Sequence, residues 1–131
     1  MTWIIAYVAA AIVFGILDAI WLGWAGNNFY RPNIGELMAD DFRIMPAVVF
    51  YIFYVGGMVY FAIKPGLSSG VGTAALNGAI LGALCYGTWA LTNQATLKVW
   101  PTHLSMTDIA WGAFATGSAA AAATWITGRL T

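Results

Sequence analysis

The twenty residues from Ile44 to Ile63 include no charged side chain. Wound as an α-helix, a run of that length spans the ~30 Å hydrocarbon core of a bilayer. Three further stretches have the same character. Trp3–Trp24 is interrupted only by Asp18, Val71–Asn93 has no charge, and Thr107–Thr127 has one, Asp108. The runs are continuous, whereas membrane strands alternate over segments of about 10 residues. The expected fold is all-α: an integral membrane bundle of four transmembrane helices, 3–24, 44–63, 71–93 and 107–127, forming one domain over residues 1–131.

Composition narrows the function classes. The chain is 61% hydrophobic and 8% charged, against about 25% charged in an ordinary soluble domain. Five Lys/Arg balance five Asp/Glu, which leaves no basic surface for nucleic acid. The single cysteine cannot form an internal disulfide, and no His/Cys cluster offers a metal site. No Gly-rich phosphate loop, catalytic triad or haem ligand pair is present, so no cofactor is expected. The first segment lacks a basic leader and is too long for a signal-peptide core, and is expected to be retained.

The connections differ. Gly26–Arg43 is long and polar, with Ile34, Leu37, Met38 and Phe42 near helical spacing and Glu36, Asp40 and Asp41 on other faces. This predicts a short interfacial helix over 33–42. Gly78-xxx-Gly82, Ala83-xxx-Gly87 and Ala113-xxx-Gly117-xxx-Ala121 place small residues four apart, the spacing that lets membrane helices approach closely.

Antiparallel threading segregates the charges. Asp18 lies ~22 Å along its helix from Trp3. It falls toward the membrane side that holds the first and third connections, together with every other acid of the chain. Lys64, Arg129 and the termini occupy the opposite side. Asp18 and Trp21 are three apart, as are Asp108 and Trp111, so each pair shares a helix face. Tyr86, Trp89 and Asn93 form a third face. If these converge, they enclose an aromatic-walled pocket whose ligand-binding candidates are Asp18, Trp21, Tyr86, Trp89, Asn93, Asp108 and Trp111, with Arg43 at its edge.

Each candidate also has a plainer role. An ionisable group within a membrane segment points to function, yet Asp18 would equally serve as interhelical glue, bonded to Asn93 or paired with Arg43. Asp108 would complement the dipole at the start of its helix, with Ser105 or Thr107 as cap. Arg43 would act as an interfacial anchor. Trp3, Trp100 and Trp125 fit interfacial belts.

The segments LDAIWLG, FYRPNIG, VVFYIFYVGGMVYF, LTNQATLKVWP and DIAWG, in this order and spacing, resemble the DUF2177 family of small bacterial membrane proteins. The resemblance covers nearly the whole chain. It implies a multi-pass protein of the bacterial inner membrane and supplies no reaction, cofactor or catalytic residue. Family members often carry an acid just before the LTN segment, whereas Thr88–Leu91 has none.

Lys/Arg residues divide almost evenly between the two sides, and the acid-rich side is assigned outward, with both termini cytoplasmic. Three functions remain open. The first is binding or transport of a lipid or small hydrophobic molecule, with membrane lipids as partners and a homodimer where transport is involved. The second is an accessory subunit of a larger membrane complex. The third is a membrane-embedded enzyme doing proton-transfer chemistry on lipid. No metal set or activated nucleophile favours the enzyme.

Overall fold

The computed structural model describes residues 1–41 and 43–131. Four long helices account for almost all of them: α1 (Thr2–Leu37), α2 (Ile44–Ser69), α3 (Val71–Thr96) and α4 (Thr102–Leu130). The first three are long and apolar enough to cross a membrane.

Helix α1 departs from expectation. The polar segment after Ala25 does not leave the helix. It passes through a π-turn, Gly26–Tyr30, then an α-turn, Arg31–Ile34, and ends in a 3₁₀ turn at Leu37. The separate interfacial helix expected over 33–42 is therefore the tail of α1, and Phe42 lies outside the described residues. Proline in a helix loses one hydrogen bond and clashes with the carbonyl four residues back. A π-turn, which bonds five residues back, relieves that crowding. Pro32 follows such a turn, and Pro65 follows a second one at Val59–Ile63 inside α2. The two prolines are accommodated in the same way.

Large apolar side chains face outward and small ones inward. Ile4, Val8, Ile12, Ile16 and Ile20 form an exposed row on α1, and Leu76, Ile80 and Leu84 one on α3. The interior is built from Ala6, Ala10, Ala74, Ala115, Ala119 and Ala123, around Phe14, Met58 and Ile63. This inverts the water-soluble pattern and matches association in lipid, where close backbone packing supplies the stabilisation.

The α3–α4 pair is the most extensive interface, followed by α1–α4. Gly78 and Gly82 abut Thr116, Ala120 and Gly112, so the partner row on α4 is Gly112–Thr116–Ala120. Of the row expected from sequence, Gly117 is buried against Ala75 and Ala79, while Ala113 and Ala121 are only half-buried. Helix α4 presents much of its surface to protein, which explains its Ala-, Gly- and Thr-rich composition.

Helix α2 joins α3 through Gly70 alone, at φ 115°, a left-handed conformation that favours glycine. Its C-terminal part packs on α3, whereas the first half, Ile44–Met58, makes little contact there. That half is held on α1 instead. The Tyr7 hydroxyl donates to the Ile52 carbonyl at 2.9 Å, and the Tyr51 hydroxyl donates to the Ala11 carbonyl. Helices α2 and α3 thus diverge toward the end that carries the Met38–Arg43 connection.

Candidate functional site

A cavity of about 500 Å³ lies at this divergent end, within the usual range of roughly 300–1,000 Å³ for small-molecule sites. Asp18, Trp21 and Leu22 of α1 form one wall, and the α1 tail adds Tyr30, Ile34 and Met38. Helix α3 contributes Cys85, Tyr86 and Trp89, α4 contributes Trp111, and Phe50 is the contribution from α2. The lining is overwhelmingly apolar and aromatic.

Hydrogen bonds and ring contacts fix the walls. Trp21 and Trp111 stack at 4.9 Å between centroids with 14° between planes. Trp21 Nε1 donates to the Tyr30 hydroxyl at 3.1 Å, and that hydroxyl donates to Asp108 Oδ1. One phenol oxygen therefore ties α1, its tail and α4 together. Asp108 Oδ2 and Trp111 Nε1 are buried without hydrogen-bond partners. The Asp18 carboxyl lies near Trp111 Nε1 without meeting hydrogen-bond geometry.

The tail of α1 is seated on the ends of α3 and α4. Ile34 packs with Ala90, Trp100 and Leu104. Asn33 Oδ1 meets His103 Nε2 at 3.0 Å. Trp100, expected in an interfacial belt, is buried instead: its indole donates to Ser105 Oγ at 3.0 Å, and Ser105 donates to the Ala90 carbonyl at 3.3 Å. Trp89 meets Trp100 edge-on at 5.1 Å.

Of the residues singled out from sequence, Asp18, Trp21, Tyr86, Trp89 and Trp111 line this one cavity. Three do not. Arg43 stands exposed in extended conformation before α2, and Asn93 is half-buried near the end of α3. Asp108 is fully buried behind Tyr30. It is not in the first turn of α4 either, because that helix begins earlier, after Pro101, with no side-chain cap. Ser105 is consequently inside the helix and serves Trp100. Among the described residues, no three His, Cys, Asp or Glu side chains come together in a way that could hold a metal ion.

Residues 3–125 match a family model described as a predicted membrane protein, DUF2177. The chain belongs to the DUF2177 family. No curated protein and no solved structure gives a match.

Several residues of this DUF2177 cavity lie in stretches whose sequence points elsewhere. Tyr30 lies in a stretch that reads as loop, 78 residues from Asp108. Ile34 and Met38 have the spacing of an interfacial helix, and Phe50 sits within the uniformly apolar run Ile44–Ile63. The available signal was the helical spacing of Phe29, Ile34 and Met38, which continues the phase of α1 once a π-turn is allowed.

Proposed function

We propose that the cavity holds the apolar part of a lipid or small hydrophobic molecule, which enters between α2 and α3. The observation that carries this reading is the aromatic cavity where those two helices separate. An apolar ligand there would exchange contact with acyl chains for contact with Trp and Tyr faces, and Asp18 and Tyr30 would orient its polar group. A phospholipid bearing a diazirine on its acyl chain, mixed into phosphatidylethanolamine–phosphatidylglycerol vesicles containing the protein, tests this directly. Label should appear on Phe50, Tyr86 and Trp89. Label confined to the outward row Leu76, Ile80 and Leu84 would overturn the reading.

We also infer that α4 crosses the membrane beside the other three helices, which puts both termini on one side of a bacterial inner membrane, the cytoplasmic one. Its 29 residues reach about 43 Å at 1.5 Å each. Its modest apolarity is offset by the protein contacts that cover it. Lys98→Cys and Thr131→Cys, each in a Cys85→Ser background, probe its two ends. Lys98→Cys should react with an impermeant maleimide from outside, and Thr131→Cys only after permeabilisation. Reaction of both from the same side would contradict the crossing, and the reverse pattern would contradict the orientation.

A further inference from the structure

The lining of the cavity defines a narrower ligand class than apolarity alone. Among the described lining residues Asp18 has the one carboxyl, and none is a Lys, Arg or His. The cavity that Asp18 lines is also lined by the rings of Trp21, Tyr30, Tyr86, Trp89 and Trp111, with Trp21 and Trp111 stacked on each other. Aromatic faces carry the negative part of the ring quadrupole and attract cations, which is how quaternary ammonium groups are held in aromatic cages. A second carboxyl, Asp108, stands directly behind Tyr30. Arg43, the nearest base in sequence to the start of α2, is exposed and outside the cavity.

We propose that this site takes a hydrophobic organic cation, a molecule that joins an apolar body to a quaternary or otherwise weakly hydrated positive centre. This rests on the reading of the cavity as a site for small hydrophobic molecules and names the chemical class. Three physical points favour it. A carboxylate within a membrane segment is costly unless a cation accompanies it, and none of the described lining residues is basic, so the ligand would supply the charge. A delocalised or alkylated cation gives up little hydration on entering an aromatic site, whereas a small inorganic ion gives up a great deal. An anion would meet both a carboxyl and the negative faces of the rings, and is disfavoured twice.

Tetraphenylphosphonium and tetraphenylborate are matched in size and apolarity and opposite in charge, so they isolate the charge preference. Binding of each to the purified full chain in nonionic detergent is followed by calorimetry and by quenching of tryptophan fluorescence. Tetraphenylphosphonium should bind about tenfold or more tighter than tetraphenylborate. Asp18→Asn should abolish most of that preference, and Asp18→Glu, which keeps the charge, should retain it. Equal binding of the two ions, or a preference untouched by Asp18→Asn in protein that still elutes as a monodisperse species, would overturn the proposal. If the acyl diazirine still labels Phe50, Tyr86 and Trp89 while no cation preference exists, only the charge assignment falls. If neither probe enters, the cavity reading falls with it.

Discussion

Gly82→Ala should destabilise the bundle by about 2 kcal/mol or more, in the range of overpacked cores. Within a helix the same change ordinarily stabilises by about 0.5–1 kcal/mol, because glycine loses more backbone entropy on folding. The sign reverses here because a Cβ on Gly82 would overlap the backbone carbonyl of Gly112 and crowd the Thr116 side chain. Neither the carbonyl nor the α4 backbone can rotate away, so α3 and α4 must separate, and their interface is the most extensive in the molecule. Gly57→Ala, in α2, supplies the control: nothing lies within 4 Å of its added carbon. Thermal unfolding in detergent should show a large fall in midpoint for Gly82→Ala and little change or a small rise for Gly57→Ala. Equal midpoints would remove the close α3–α4 contact from the account of stability.

Tyr30→Phe should loosen the α1 tail while leaving the rest of the bundle intact. Its hydroxyl accepts from Trp21 and donates to Asp108, so removing one oxygen leaves two groups without partners. Asp108 is fully buried, and its other carboxyl oxygen already has none. Stranded buried polar groups cost about 1–3 kcal/mol each, more when charged. A local loss of about 3 kcal/mol corresponds to roughly a hundredfold fall in amide protection, since each tenfold is about 1.4 kcal/mol. Hydrogen exchange should register it over Gly26–Leu37 and not over α3. Combining Tyr30→Phe with Asp108→Leu removes both partners and should recover part of the loss. Unchanged protection in the single variant would show that the Ile34 and Trp100 packing holds the tail unaided.

The helical architecture was readable because a bilayer demands long apolar runs, and nothing else in the chain competes with that signal. The placement of Asp18, Trp21 and Trp111 on one cavity follows a spacing visible in the sequence, the three-residue interval on two antiparallel helices. Asp108 shares the helix face of Trp111 but is closed off from the cavity by Tyr30, which lies in a stretch that reads as loop. Three more turns of helix on α1 and an earlier start for α4 changed which side chains meet. Pro32 and the polar run around it carry the ordinary marks of a loop, and only a widened turn lets the helix continue through them. Trp100 shows a related difficulty. Its indole reads as an interfacial ring until Ser105 and the Ala90 carbonyl supply a buried bonding partner, and those lie on other elements.

The single-residue joint at Gly70 has a mechanical consequence. Helix α2 is 26 residues long, about 39 Å at 1.5 Å per residue. A swing of about 5° at its lower end would carry the Ile44 end through about 3 Å, roughly the thickness of an aromatic ring. Two sets of contacts oppose such a swing: the packing of Ala62, Ile63 and Gly66 against α3 and α4 near the joint, and the hydrogen bonds from Tyr7 and Tyr51 farther along. Phe50 of α2 lines the cavity, so its width on that side is set by these two sets of contacts and not by the single glycine alone.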